Sequence, residues 1–262
     1  MSAVPTPRDT AALLVSDEDG VRRLTLNRPA VKNAIPRSLY GELAAALDGA
    51  DTDAQIRCVI LHGAGDDFCA GGDTRDFGAV SGVPERQAYL ADANHAYQAI
   101  ERCGKPVIAA VHGFAVGGGC ELTLCCDIVI ADATARFSLP EARLGLLPGP
   151  GTAVGLTQTN LHWLKLMVLG CEVLDADDAR LAGLVTKVVP AGQHLAAAQA
   201  LAARICGLAP LSLSVGKRLL NDLAPRHWEQ SQVAVTMLQG TDDFKEGVAA
   251  FAQRRRPEFR GS

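Results

Sequence analysis

Apolar runs at 11–15 and 21–26 flank the turn-forming stretch Ser16-Asp17-Glu18-Asp19-Gly20, a pattern that predicts a β-hairpin. Asn27-Arg28-Pro29 breaks the second strand. Pro36 then fits the first turn of a helix in which Leu39, Leu43, Ala46 and Leu47 recur at helical spacing. The alternation continues with a strand at 58–61, a loop carrying FCAGGD (68–73), a helix at 85–102 and a strand at 107–111. After these come the segment HGFAVGGGCE (112–121), a short apolar helix to Cys126 and a strand at 128–131. Repeated strand-loop-helix units predict an α/β fold around a largely parallel, buried sheet. Beyond Val189 the strand signal stops, and helices are expected at 195–206, 211–220, 228–238 and 243–255. The expected organisation is an α/β core over 1–194 and a helical region over 195–262.

Composition narrows the partners. A chain of 262 residues, 48% hydrophobic, can bury one large α/β domain. Its formal net charge of −4 offers no general attraction to nucleic acid or anionic lipid, so an anionic ligand must be held by locally placed groups. No apolar run approaches the roughly 20 residues needed to span a bilayer, and the first residues lack a basic segment followed by an apolar core. The eight cysteines form neither a C-x-x-C framework nor a metal-ligand grouping with histidine. A soluble cytoplasmic protein without a metal site is expected.

The chemistry concentrates in two glycine-bearing turns, AGGD (70–73) and GGG (117–119), each following an expected strand near a helix start. Glycine lets a ligand approach the main chain, and a helix N-terminus offers unpaired N–H groups and a favourable dipole for developing negative charge. Taken singly, each turn reads first as tight packing of helix on strand. A dinucleotide site is disfavoured because GFAVGGG lacks the G-x-G-x-x-G spacing. Glu121 lies about one helical turn after Gly118 and is flanked by Cys120, Leu122, Leu124, Cys125 and Cys126, which should desolvate it and raise its pKa. Glu141 follows Pro140 on another segment and could join Glu121 only through the tertiary fold. Together the set suits an activated carbonyl whose neighbouring carbon exchanges a proton. The scattered histidines, His112 beside the GGG turn included, read as structural, and Cys69 and Cys120 as small buried residues.

With these residues in place, the chain resembles the enoyl-CoA hydratase/isomerase (crotonase) family along nearly its whole length. The likeness runs through LNRPAVKNA (26–34), FCAGGD, KPVIAAVHGFAVGGGCELTLCCDIVIA (105–131), FSLPEARLGLLPGPG (137–151), DADDARLAGLVTKVV (175–189), APLSLSVGKRLL (209–220) and DDFKEGVAAFAQRRRPEF (242–259). The resemblance implies a crotonase-like spiral of ββα units with a C-terminal helical oligomerisation region, assembled as a homotrimer or a dimer of trimers. It implies the N–H groups of Gly72 and Gly118 as oxyanion donors. Glu121 would activate water for attack at Cβ, and Glu141 would protonate Cα of a 2-enoyl thioester. Lys32, Ala70, Gly72, Asp73, Arg75, Gly118, Phe251 and Arg254 match coenzyme A-contacting positions, the family placing the last two on a neighbouring subunit. No cofactor is implied beyond the coenzyme A of the acyl-CoA substrate itself. An isomerase using one glutamate as base and a non-catalytic acyl-CoA-binding protein are the alternatives. The segment LPGPGTAVGLTQTNLHWLK (147–165) departs from the family's PGAGGTQRLPR pattern near the expected acyl pocket.

Overall fold

The computed structural model describes residues 11–79, 82–224 and 226–262. The chain opens on β1 (Leu13–Glu18) and β2 (Val21–Leu26), joined by Asp19-Gly20. Both loop residues take positive φ, 49° and 80°, as a two-residue hairpin turn demands. Ser16 to Glu18, expected in the turn, are instead the end of β1: this is a solvent-exposed edge strand, where polar residues cost little. Then follow α1 (Arg37–Thr52), with Pro36 as its N-cap residue, β3 (Cys58–Gly63), α2 (Thr74–Ala79), α3 (Gly82–Arg102), β4 (Val107–Val111), β5 (Phe114–Val116) and α4 (Gly118–Cys125). Next are β6 (Ile128–Asp132), β7 (Arg136–Ser138), α5 (Gly149–Gln158), α6 (Leu161–Gly170), β8 (Val173–Asp175), α7 (Ala176–Ala182) and β9 (Lys187–Val189). Four helices finish the chain: α8 (His194–Cys206), α9 (Pro210–Leu223), α10 (Trp228–Leu238) and α11 (Asp242–Ala252).

The main sheet has the order β1-β2-β3-β4-β6-β9, parallel from β2 onward, with β1 antiparallel at its edge. All five residues of β4 are buried, as expected of a central strand covered on both faces. One face carries the larger core, which includes Leu39, Leu43 and Leu47 of α1 and Tyr97 and Ile100 of α3. The other packs Ile60, Ile108 and Ile130 against Ala198, Ala202 and Ile205 of α8. Helix α8, and Leu213 of α9 with it, thus pack on the second face of the sheet. A smaller sheet, β5-β7-β8, stands beside the main one. No single helix among the described residues is long and apolar enough to cross a membrane.

The small sheet and the loop after β3 are sewn together by main-chain bonds. Cys69 N donates to Phe114 O at 2.8 Å and Val116 N to Cys69 O at 2.9 Å, while Ile35 N donates to Gly71 O and Asp73 N to Ile35 O, both at 2.8 Å. The AGGD turn is thereby clamped between β5 and the residues before α1. Helix α4 starts immediately against it, and a Cβ on Gly119 would overlap the Cys69 carbonyl. Gly119→Ala should therefore cost at least about 2 kcal/mol in urea unfolding, since backbone has to move. Gly41→Ala, on α1 with open space around the new methyl, should instead be neutral or stabilising by up to about 1 kcal/mol.

Candidate active site

A cavity of about 440 Å³ opens between the glycine turns, α3, α10 and the loop from 140 to 150. Its polar end is built from main chain. Gly117, the N-cap of α4, has φ 53° and ψ −125°, a conformation open essentially to glycine. Gly118 is therefore the first residue of the helix, where an N–H has no partner within the helix. In the facing turn the N–H groups of Ala70, Gly71 and Asp73 find acceptors in Lys32 O, Cys69 Sγ and Ile35 O. Among the described residues, no acceptor is paired with the N–H of Gly72 or of Gly118. The two turns touch: a Cβ built on Gly118 would stand 3.4 Å from the Gly72 nitrogen, and one on Gly71 3.1 Å from the Gly118 nitrogen.

Both glutamates line this cavity. Glu121, one turn into α4, is only 6% exposed, and its Oε1 accepts the Gly151 N–H at 3.1 Å. Burial, followed by the nearby Glu141, raises its pKa well above the usual carboxylate range. Glu141 opens a 3-10 turn, Glu141–Leu144, after Pro140. Its Oε2 is buried without a hydrogen-bond partner, and burial pushes its pKa up to about 7. The pairing that unites them is β5 on β7: Val116 is in register with Ser138, and Gly117 N donates to Ser138 O at 2.9 Å. That contact carries the chain from β7 directly to the start of α4, so Glu141 lies against Gly117.

The remaining expected residues divide. Lys32, Ala70 and Phe251 line the cavity. Lys32, half-exposed at the rim, pairs with Asp67 at 2.9 Å and sits 4.4 Å from the centre of the Phe114 ring. Asp73 is buried outside the lining and holds Arg75 at 2.6 Å and Arg28 at 3.2 Å, which keep its carboxyl well below the usual range. An ionised carboxylate so placed anchors arginines and is the wrong charge for a phosphate contact. Arg75 is exposed and occupied by Asp73; Arg254 lies past the end of α11, exposed and away from the cavity. Phe251 meets the cavity of its own chain. The reason is that α11 folds back onto the 3-10 turn so tightly that Gly247 has no room for a Cβ beside Leu144.

Sequence reasoning missed the tyrosines. All three in the chain, Tyr40, Tyr89 and Tyr97, line the cavity, with ring centroids 6.2 Å (Tyr40–Tyr89) and 5.9 Å (Tyr40–Tyr97) apart. Tyr97 Oη donates to Gly118 O at 3.3 Å. Their scarcity in the chain and the eight-residue spacing of Tyr89 and Tyr97 on one helix were the available signal. His112 stays outside the cavity, its Nε2 on Gly65 O at 2.8 Å and its ring stacked on His194 at 4.2 Å. Burial pushes the Cys69 thiol up to about 12 and that of Cys120 well above its ordinary value, so neither is a ready nucleophile.

Known proteins of the same build bear on the site. The family model described as enoyl-CoA hydratase/isomerase matches residues 16–262. The 2,3-dehydroadipyl-CoA hydratase of Escherichia coli is 36% identical over 255 residues, covering 95% of this chain and 98% of that protein. The crotonyl-CoA hydratase of Syntrophomonas wolfei is 32% identical over 253 residues, covering 94% and 97%. Among solved structures, the enoyl-CoA hydratase/isomerase of Pseudoalteromonas atlantica superposes with a TM-score of 0.84 at 35% identity, covering 95% of this chain and all of that one. The fold is thus the crotonase type, and the chain belongs to the enoyl-CoA hydratase/isomerase family of enzymes.

Proposed function

We propose that this enzyme adds water across the double bond of a 2-enoyl-CoA thioester to give the 3-hydroxyacyl-CoA. The observation that carries the reading is the pair of buried carboxyls, Glu121 and Glu141, facing one cavity beside two unpaired glycine N–H groups. The thioester oxygen accepts the N–H groups of Gly72 and Gly118. As water oxygen bonds to Cβ, the π electrons move toward the thioester oxygen, and both donors strengthen as enolate charge grows there; each such donor is typically worth about 3–4 kcal/mol in the transition state. Glu121, which accepts the Gly151 N–H, takes the proton from water. Glu141, with its pKa near neutrality, gives a proton to Cα. The two carboxyls titrate as a unit holding one proton between them, which is what one acid and one base require. With both carboxyls addressing the same face of the double bond, addition is syn. No electrons leave the substrate, so no redox cofactor takes part. Lys32 and Phe251 are the coenzyme A contacts this chain supplies from its cavity rim.

Crotonyl-CoA should lose its conjugated-thioester absorbance on incubation with the enzyme, and the product should be 3-hydroxybutyryl-CoA. Glu121→Gln and Glu141→Gln should each lower kcat by about 10²–10⁴-fold while KM changes a few-fold at most. A 3-enoyl-CoA converted to the conjugated isomer, with no hydration, would replace this reading by the single-base isomerase; binding without turnover of either would leave a non-catalytic acyl-CoA carrier.

The raised carboxyl has a second consequence. Below pH 4.5 the Glu141 carboxyl is protonated in both folded and unfolded chains and does not distinguish them. Between 4.5 and about 7 the unfolded chain releases a proton that the folded one keeps, so folding weakens as pH rises and levels off once the folded group has ionised too. The stability of the wild type relative to Glu141→Gln, read by urea unfolding, should fall by on the order of 3 kcal/mol across this window. A flat difference would place Glu141 in water.

Self-association follows from α9, which exposes Leu211, Val215, Leu219, Leu220 and Leu223, the last 82% accessible. A contiguous apolar face of this kind is a subunit interface. Light scattering should give three or six times the 27.5 kDa chain mass. Leu219→Glu with Leu223→Glu should reduce it to one.

A further inference from the structure

Helix α10 and the residue after it present Ser231, Gln232, Val235 and Gln239 to the cavity, a stripe at helical spacing. Its two ends are treated differently. At the near end, beside the loop that holds Glu121, Ser231 Oγ donates to Gly149 O at 2.6 Å and accepts from Thr152 Oγ1 at 3.0 Å. Two turns further along, about 12 Å by helix rise, Gln239 is 4% exposed and its Oε1 has no hydrogen-bond partner. Between the two, Val235 of α10 and Leu90 and Ala93 of α3 add apolar surface to the cavity. Buried amide oxygens are rarely left unpaired, because a buried acceptor forfeits water and gains nothing against an apolar neighbour. A methyl-ended acyl chain would leave Gln239 in that condition.

The surroundings add charge. Arg86 Nη1 donates to the Gln239 carbonyl at 3.0 Å, and Arg86 Nε is buried without a partner. No carboxylate pairs with Arg86 among the described residues. A guanidinium not neutralised by an ion pair, standing behind an unpaired amide, makes the far end of the cavity favourable to oxygen ligands.

The geometry points to Gln239 as the group that reads the far end of the acyl chain, so that the preferred substrates are 2-enoyl thioesters ending in a hydrogen-bonding oxygen group, hydroxyl or carboxylate, rather than in methyl. Gln239 binds that group through its side-chain amide, which can accept from a hydroxyl or, rotated, donate to a carboxylate. Arg86 is a positioning residue: it fixes the Gln239 main chain and supplies positive potential. This inference rests on the hydratase reading and goes beyond it in naming the acyl class.

The test uses full-length enzyme and matched sets of 2-enoyl-CoA thioesters, each of one chain length, ending in methyl, hydroxyl or carboxylate. At the length that reaches Gln239, kcat/KM for an oxygen-ended member should exceed that for the methyl-ended one by at least about tenfold. Gln239→Leu should bring the ratio toward one or below it. Arg86→Gln should reduce the ratio for the carboxylate more than for the hydroxyl, which separates the two kinds of terminus. Calorimetric Kd values for the corresponding saturated thioesters give the same comparison without turnover. Preference for the methyl terminus at every length, or a ratio that Gln239→Leu leaves unchanged, would overturn the proposal and assign the amide to bound water. Hydration with no terminal preference would sink this inference alone. No hydration of any member, with product analysis negative throughout, would sink the hydratase reading beneath it.

Discussion

Three glycines packed without side chains, at 71, 117 and 119, hold the active region together. Gly71 has φ 90° and Gly117 φ 53°, and any Cβ on Gly71 would stand 2.7 Å from Val116 O. Gly119 rests on the Cys69 carbonyl. Only by stripping side chains from this contact can the loop after β3 and the start of α4 come close enough for the nitrogens of Gly72 and Gly118 to share a neighbourhood. The same contact fixes the direction in which α4 leaves, and thereby the side of the cavity on which Glu121 emerges. Hydrogen bonds to β5 and to Ile35 then keep the turn from relaxing. Main-chain donors held in this way undergo little reorganisation when charge develops before them.

The treatment of buried acids separates structure from chemistry. Asp127 has a partly covered carboxyl whose desolvation raises its pKa, but Lys217 stands 2.7 Å away and the Val107 N–H donates to it. Asp73 is held by two arginines. Glu121, buried, and Glu141, part-buried with its Oε2 out of water, receive no cation among the described residues; Glu121 has one N–H, and one oxygen of Glu141 has nothing. A fold that neutralises its other acids and leaves two uncompensated within one cavity departs from ordinary packing there, which is the departure the proposed proton transfer requires.

What the sequence made readable was what local rules govern. The hairpin, the α1 periodicity, the parallel strands and the glycine turns all depend on neighbours within a few residues, and each is found close to where it was expected. The meeting of Glu121 with Glu141 depends on Val116 pairing with Ser138, a contact between short strands of three residues that no periodicity announces. Likewise α8 reads as one more helix after the strand signal fades; its alanines, at 198 and 202, belong to the sheet's second face only because the chain returns there. Asp73 looked like part of a ligand-binding turn because it adjoins Gly72, but side chains on alternate sides of an extended segment point apart, and its carboxylate turns to Arg28 and Arg75. The closeness of Gly247 to Leu144, which folds α11 onto its own chain, is likewise a property of two distant segments.

That fold-back ties the C-terminal helices to the chemistry. Helix α11 presses on the 3-10 turn that begins with Glu141, α10 forms one wall of the cavity, and Ser231 of α10 bonds the Gly149 carbonyl in the loop whose Gly151 holds Glu121. Both carboxyls are therefore braced by segments outside the sheet. The sheet and its glycine turns supply donors whose positions cannot vary without breaking the core, whereas α10 and α11 supply walls that can change by substitution on one helical face. Such a division lets the proposed carbonyl site stay fixed while the opposite wall of the cavity is altered. The departure of residues 147–165 from the family pattern lies on the variable side of that division, in the very loop and helix against which α10 packs.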